Sequence, residues 1–338
     1  MKKIELVILF VFMSSLTTTK AQDGIEALLA SGVDDANRFA NAFTKPVSDA
    51  LIYSLANGWY NTAQAKKFGR FEISFIGGVS QIGSNSTSFT LNENDYNFLR
   101  FQSGASTQQV GTIFGQNDPG VFMNIIEDGE IEGTIELPQG LGSSNLEYLP
   151  NIMLQGSIGL PLNTELKVRY LPQIETNDVD VQFYGLGLQH EFSEWIPVLK
   201  ESPLALSGFV GFNRLSGEFR VSGESDIVSS SNQALTLDVD SWHYAALVST
   251  KYKIFNFYGS LGAVSGSADT RLLGEYEVDN GSSDVEGSTL VDPLHLSTTV
   301  DGFRATIGAK LSLAFFRLNI DYSIQEFNTL MVGVNLGI

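Results

Sequence analysis

The chain has 338 residues, no cysteine and 38 acidic against 20 basic residues, which gives a formal net charge of −18. This composition excludes nucleic acid as a partner, because binding to phosphates needs clustered Lys and Arg. Without disulfides, an exported chain of this kind is held together by backbone hydrogen bonding and packing. After the first twenty residues no apolar run of about 18 residues occurs, so no predicted helix spans a bilayer.

Residues 1–21 have the pattern of a cleaved signal peptide. Lys2 and Lys3 precede the apolar stretch 6–13, and small residues lead to a cleavage position near Ala21. The pattern predicts export across the inner membrane. Lipid attachment is excluded because no cysteine follows the apolar run.

The next segment, residues 22–68, has a helical pattern. Apolar residues recur at three- and four-residue spacing up to Phe43, which predicts narrow apolar stripes. Pro46 is expected to open a second helical stretch over 47–55, and Asn57-Gly58 to end it with a turn. The segment is too short for a core of its own, so its stripes need a partner elsewhere in the chain.

From Phe71 the hydrophobic period changes from a helical spacing to two. Between Phe303 and Phe315, for example, apolar residues alternate with Arg304, Thr306, Lys310 and Ser312. Each such stretch is about nine to thirteen residues long, the length that a tilted strand needs to cross a bilayer. The pattern predicts about ten strands, over 70–83, 149–159, 163–172, 180–192, 202–222, 234–250, 253–275, 299–313, 315–325 and 328–338.

Three features favour a membrane barrel over a soluble sandwich, which would alternate equally well. The polar positions carry charges of both signs, connections alternate between short and long, and the last strand reaches the chain end. We therefore predict an all-β protein, with residues 69–338 forming an antiparallel transmembrane β-barrel and both termini on the periplasmic side. Stretches 88–91 and 131–137 leave twelve or fourteen strands open. Interfacial belts account for the aromatic residues at strand ends, which are Tyr170, Trp195, Trp242, Tyr252, Phe255, Phe257 and Phe327.

Negative charge is concentrated in the predicted outer loops 84–148, 214–241 and 265–301, together with 173–180. These stretches hold 25 of the 38 acidic residues but only 4 of the 20 basic ones. Their field attracts cations to one rim of the barrel. Alternatively, the acidic loops stay soluble and divalent ions bridge them to neighbouring lipopolysaccharide. The acidic stretch 279–284 has oxygen ligands but lacks the spacing of a calcium loop, so we predict no metal site.

No catalytic arrangement is found. The three histidines form no metal-ligand pair, and no nucleophile–base motif occurs, so neither an enzyme nor a cofactor is predicted. Candidate solute-binding residues are the charged and polar groups at lumen positions, namely Glu72, Glu165, Lys167, Arg169, His243, Arg304, Lys310, Arg317 and Asp321. We expect residues 22–68 to insert into the lumen mouth as a plug, marked by Pro46, Asn57, Gly58, Trp59 and Tyr60. A free periplasmic arm is the alternative.

The run from Thr44 to Ala63, followed by residues 68–73, resembles an uncharacterised family of Gram-negative outer-membrane proteins. Members of that family carry a similar Pro…Asn-Gly-Trp-Tyr-Asn-Thr-Ala block directly before strand one. The order of helix and then barrel is also similar to the long-chain fatty-acid outer-membrane transporter family, in which an N-terminal hatch plugs the barrel. The chain departs from the usual barrel ending, because Ile338 stands in place of a terminal aromatic residue.

Two functions follow from these patterns. The leading expectation is passive transport of a small apolar or amphipathic solute across the outer membrane, gated by the plug, with membrane lipid around the barrel. The alternative is a non-conducting barrel whose acidic loops bind a partner, as in an adhesin or an assembly subunit. The oligomeric state is not predicted by any of these features.

Overall fold

The computed structural model describes residues 28–29, 31–144, 146–176, 179–220, 233–278 and 288–338. The predicted signal peptide and the acidic stretch 279–284 lie outside these residues. Across the described ranges, no helix combines the length and the apolar character needed to cross a bilayer.

Strands dominate the structure, and one long helix precedes them. The helix α1 covers Val33–Leu55, and a short helix α2 covers Pro197–Lys200; 3-10 helices cover Ser84–Ser86, Glu93–Asp95 and Leu141–Ser144. The strands are β1 (Phe71–Gln81), β2 (Ser88–Asn92), β3 (Leu99–Phe101), β4 (Thr107–Gly111), β5 (Phe122–Glu127), β6 (Glu130–Glu136), β7 (Tyr148–Leu160), β8 (Thr164–Glu175), β9 (Val179–Glu191), β10 (Leu204–Arg220), β11 (Ala234–Thr250), β12 (Phe255–Leu273), β13 (Glu275–Val278), β14 (Ser288–Val291), β15 (Leu294–Leu313), β16 (Phe316–Ile324) and β17 (Thr329–Gly337).

Ten of these strands form a closed antiparallel barrel, as predicted. β1, β7–β12 and β15–β17 follow one another around the wall, and β17 pairs with β1 to close it. The stretches 88–91 and 131–137 are strands, but they belong to small separate sheets, β2–β4 and β3–β5–β6. A barrel of twelve or fourteen strands is therefore wrong, because these two stretches lie in an insertion that pairs within itself.

The two ends of the barrel differ. The connections 161–163, 251–254 and 314–315 are short and lie at the end where β17 finishes, which we call the short-turn end. The opposite, long-loop end carries the insertions 82–147 and 274–293. The loops expected over 214–241 and 265–301 span fewer residues than predicted, because the strands β10, β11, β12 and β15 continue into these ranges.

The barrel is apolar outside. Phe75 and Ile307 are 55% and 70% exposed, and large aliphatic and aromatic side chains cover the outward positions of every barrel strand. Trp242 stacks on Tyr244 at this surface, as an interfacial aromatic residue would. Phe327 is an exception to the predicted belt, because it is fully buried and packs on Tyr53 inside the barrel.

The helix α1 is continuous through Pro46, so the expected start of a second helix at Pro46 is wrong. A proline inside a helix removes one backbone donor, and here both flanking halves of the helix are packed, which outweighs that loss. The chain leaves the helix at Ala56, and Gly58 takes a positive φ of 70° in the turn that follows.

The two halves of α1 lie in different apolar cores. Residues 82–147 and the β13–β14 hairpin form a cap over the long-loop end. The cap core joins the N-terminal half of α1 to the cap strands through Ala36, Phe39, Ala40, Leu91, Leu99, Phe101, Val110 and Met123. The lumen core joins its C-terminal half to the barrel wall through Ala50, Ile52, Tyr53, Leu149, Met153, Val264, Val300 and Met331.

Candidate functional site: the filled lumen

The N-terminal segment passes through the whole lumen. Near its start, Asn37 Oδ1 accepts from the backbone N–H of His295, at the long-loop end of β15. Farther on, the Ala56 carbonyl accepts from Arg304 Nη1 at 2.7 Å. From residue 37 to 56 the helix rises about 28 Å, and from 295 to 304 the strand rises about 30 Å, so α1 runs alongside β15.

The segment continues beyond the helix to the short-turn end. Lys310 Nζ donates to Asn61 Oδ1 at 2.9 Å. Lys66 Nζ lies 3.1 Å from the carboxylate of Glu72, near the start of β1. Phe68, Gly69 and the start of β1 are exposed at this end.

Two expectations about this segment therefore need correction. It does not stop in the lumen mouth, and the start of α1 does not lie on the same side as the end of β17; Leu28, Leu29 and Ala36 lie in the cap core, at the long-loop end. An eight-stranded barrel is just filled by its own side chains, so a ten-stranded one has room for a helix. The apolar residues of α1 pack in the cap core and in the lumen core.

Two buried arginines bind the C-terminal end of α1. Arg169 donates to the carbonyls of Leu55 and Asn57 at 2.9 and 2.6 Å, and Arg304 donates to that of Ala56. The last carbonyls of a helix lack intrahelical donors and carry partial negative charge. Both arginines, predicted from the sequence as solute-binding groups, satisfy these carbonyls of the chain itself.

Trp59 packs between the guanidinium of Arg169 and three glycines of the barrel wall, Gly185, Gly187 and Gly211, which we call the glycine floor. The Arg169 guanidinium lies 3.7 Å from the centroid of its ring. On the wall of β9 and β10, a Cβ atom added at Gly187 or Gly211 would lie 2.9 Å from an atom of the Trp59 ring. Together with Gly185, these glycines make the space in which the indole packs, and only 1% of Trp59 is exposed.

Tyr60 joins the segment to the neighbouring wall strands β11 and β12. Its hydroxyl lies 2.7 Å from Ser260 Oγ and 3.0 Å from His243 Nε2. His243 Nδ1 is 3.2 Å from the Ala263 carbonyl, which only accepts, so Nδ1 carries the proton. His243 Nε2 is then the acceptor for the Tyr60 hydroxyl.

A cluster of buried charges lies at the short-turn end of the lumen. Lys66 and Lys167 contact Glu165 at 2.9 and 2.6 Å, and Arg317 contacts Glu72 at 2.6 Å. Lys66 Nζ also lies 3.1 Å from Glu72, so Lys66 holds the segment to two wall carboxylates.

All nine predicted lumen residues face the interior, and each has a hydrogen-bond or ion-pair partner in the protein. Asp321, for example, accepts from the Tyr258 hydroxyl at 2.8 Å. Their role in binding a solute stays a prediction. Among the plug residues, Asn57, Gly58, Trp59 and Tyr60 lie in the lumen, whereas Pro46 lies within α1.

Sequence reasoning missed several groups that hold the segment. Gln189 Nε2 donates to the Thr62 carbonyl at 3.0 Å, and Ser249 Oγ accepts from the Ala63 N–H at 3.0 Å. The glycine floor under Trp59 was also missed. The signal available in the sequence was Gly185-Leu-Gly187 on one strand beside Gly211 on the next, where small residues share a lumen parity.

Little space remains around the segment. The cavity between residues 58–61 and the wall, lined by Ser74, Gln155 and Asn335 among others, has a volume of about 10 Å³. This is room for about one water molecule.

The hydrogen-bond ladder between β7 and β8 covers only part of the two strands. These strands pair only over Gln155–Leu160 and Thr164–Arg169. Toward the long-loop end, the rest of β7 pairs with β1 alone and the rest of β8 with β9 alone. Pro150 and Pro172 lie on these two unpaired stretches, and proline cannot donate to a ladder. We call this stretch, where β7 and β8 are not paired with each other, the β7–β8 seam.

Comparison with known families gives a match over the whole chain. A family of unknown function (DUF6588) matches residues 1–338. The chain belongs to this family. No curated protein matches its sequence. The family match agrees with the predicted membership of an uncharacterised family, whereas the significance of the Asn-Gly-Trp-Tyr block and the similarity to fatty-acid transporters stay predictions.

Solved structures similar to this chain include outer-membrane proteins, at low similarity. The attachment invasion locus protein Ail of Yersinia pestis is 10% identical, with a TM-score of 0.27 over 80% of this chain and 99% of Ail. The translocator domain of the autotransporter NalP from Neisseria meningitidis is 10% identical, with a TM-score of 0.28 over 89% and 96%. A BenF-like porin from Pseudomonas fluorescens is 10% identical, with a TM-score of 0.14 over 80% and 98%. Similarity at this level supports no argument about function.

Proposed function

We propose that this protein is an outer-membrane barrel, closed by its own N-terminal segment, that acts through the cap it holds at the cell surface. The apolar exterior of the barrel supports residence in a bilayer, since such a surface is unfavourable in water. Short turns face the periplasm and long loops face outward in barrels of this type. This orientation places the cap outside the cell.

The observation that carries the proposal is the anchoring of the segment at both ends. Its helix begins in the cap core with Ala36 and Phe39, and the segment ends in the charge cluster around Lys66. Both anchors are buried. A segment fixed at both ends and bonded between them is an integral part of the resting structure, and it leaves the lumen closed.

The cap offers a negatively charged surface to a partner. At the tip of the β5–β6 hairpin, Glu127, Asp128, Glu130 and Glu132 are all exposed. The nearby base Arg100 is engaged with backbone carbonyls, including those of Tyr96 and Leu99. The field of such a tip draws positively charged groups toward it, and we propose a cationic polypeptide as the partner.

Binding of oligolysine to the detergent-folded protein tests the cap proposal. Calorimetry at low salt is expected to show binding that weakens as salt rises. The quadruple variant E127Q/D128N/E130Q/E132Q is expected to lose most of it. A control that removes negative charge at the other end of the barrel changes Glu194 and Glu201, two exposed acidic residues at the short-turn end, to glutamine. Equal loss in both variants would contradict a binding role for the cap.

Gated transport of a small apolar or amphipathic solute is the second candidate, and the β7–β8 seam favours it. Leu149 and Met153 of β7 and Leu171 of β8 line the inner side of the seam as part of the lumen core. If α1 moved, an apolar route would join the bilayer to the lumen. The polar wall below would then line a wet path.

Conductance in planar bilayers separates the two candidates. The closed barrel is expected to show no steady channel current. Deleting residues 22–68, or changing Arg169 and Arg304 together to alanine, is expected to raise conductance if the segment is a gate. No current in either variant would reject gated transport and leave the closed barrel.

A further inference from the structure

We propose that the barrel carries its own N-terminal segment across the outer membrane, so that the start of α1 is displayed at the cell surface. This inference rests on the proposed outer-membrane orientation of the barrel. It adds a second surface element to the cap and assigns the lumen a role as the route of that segment.

The start of α1 is built into the cap. The carboxylate of Asp35, 1% exposed, accepts from the backbone N–H groups of Asn97 and Phe98, both at 2.8 Å. Phe39 is fully buried and packs on Phe89, with ring centroids 5.9 Å apart. The helix start is thus on the same side of the barrel as the long loops.

The chain reaches the cap only by way of the lumen. β1 begins at the short-turn end, and residues 56–66 run from there up to α1 along the inner wall. The ladder between β1 and β17 closes the barrel around them. A chain delivered from the periplasm must therefore place the start of α1 beyond the outer mouth, either by passing through the lumen or by being enclosed as the barrel closes.

Folding of the cap makes this placement stable. The cap core needs Ala36, Phe39 and Ala40, so it is complete only when the helix start has emerged. The backbone bond from the Ile113 N–H to the Phe43 carbonyl, 3.0 Å, adds a fixed point at the mouth. Withdrawal of the segment would expose these apolar groups to water, which holds the segment in the outward position.

Single-cysteine labelling tests the display, because the wild-type chain has no cysteine. The labelled positions are Asp34→Cys at the start of α1, Ile131→Cys at the cap tip, and Lys67→Cys and Leu162→Cys at the short-turn end, all exposed in the wild type. Intact cells are treated with a membrane-impermeant maleimide. D34C and I131C are expected to label fully, and K67C and L162C only after the outer membrane is permeabilised.

The four positions separate failure of the inference from failure of the orientation. Labelling of I131C but not D34C on intact cells would overturn the display of the start of α1 while keeping the cap outside. Protection of I131C, with labelling of L162C, would overturn the orientation and with it the proposed function. As a second measurement, a short epitope inserted after Gln22 is expected to be detected by antibody on intact cells, and its absence there would also overturn the display.

Discussion

The Arg169 guanidinium lies 3.7 Å from the centroid of the Trp59 ring and at the same time donates to two carbonyls at the end of α1. One wall residue thus fixes both the helix end and the aromatic residue that follows it. Arg169 was predicted from the sequence to bind a solute, but in the structure it binds the protein's own chain.

Replacement of Arg169 by lysine tests this contact. Lysine keeps the charge but cannot make the same set of bonds, so we expect the free energy of unfolding to fall by about 3 kcal/mol. In a background where Trp195 and Trp242 are phenylalanine, Trp59 emission is expected to shift to the red. The control is Arg214→Lys, which alters an exposed ion pair with Asp240. An unchanged Trp59 spectrum in the Arg169 variant would contradict the contact.

The glycine floor predicts a steric effect. In Gly211→Ala the added methyl group would lie 2.9 Å from Trp59 and 2.7 Å from Phe209, so the aromatic rings must shift. We expect a loss of about 1–3 kcal/mol, measured by thermal melting of the detergent-folded protein. Gly156→Ala is the matched control, because no atom lies within 4 Å of its added methyl. Equal melting of the two variants would argue against the floor.

Asp35 predicts a local effect in the cap. Asparagine at this position loses the charge that strengthens two hydrogen bonds to backbone N–H groups, at a cost of about 1–2 kcal/mol. Hydrogen exchange of the Asn97 and Phe98 amides is expected to accelerate. The neighbouring, exposed Asp34→Asn should leave both amides unchanged. Faster exchange in both variants would assign the effect to net charge instead.

The β7–β8 seam predicts which cysteine pairs can form disulfides. The double variant I158C/L166C places cysteines at directly paired positions and is expected to oxidise readily. I152C/P172C would face each other if the same register continued three residues past the pair Gln155–Arg169, but the ladder has ended there, so we expect no disulfide. Efficient oxidation of both would show that the wall is closed in the membrane.

The barrel strands were predictable because the alternation that marks them depends only on neighbouring residues of one strand. Alternation between Phe303 and Phe315 requires only that one side of a strand meets lipid and the other the lumen, and the ten strands followed from such runs. The small sheets of the cap were not distinguished from barrel strands, since stretches 88–91 and 131–137 show the same short-range pattern. Which sheet a strand joins depends on distant partners that a single sequence does not display.

The path of the N-terminal segment was not predictable for a similar reason. The apolar stripes of residues 22–55 indicated that the helix needs partners but not that Phe39 and Tyr53 have different ones, in the cap and in the lumen. Pro46 argued locally for a helix boundary, and packing on both sides overrode it. The lumen parity of Arg169 and Arg304 was visible, whereas their engagement with the carbonyls of residues 55–57 required the path to be known.

Disulfide trapping tests most directly whether the segment threads the lumen in the described register. Ser54 Oγ lies 3.3 Å from Ser80 Oγ, and Thr62 Oγ1 lies 3.1 Å from Ser249 Oγ, near the positions that two bonded sulphur atoms would take. In native outer membranes S54C/S80C and T62C/S249C are expected to cross-link, whereas the crossed pairs S54C/S249C and T62C/S80C are not. Cross-linking of no pair, or of the crossed pairs as readily as the matched ones, would contradict the threaded lumen.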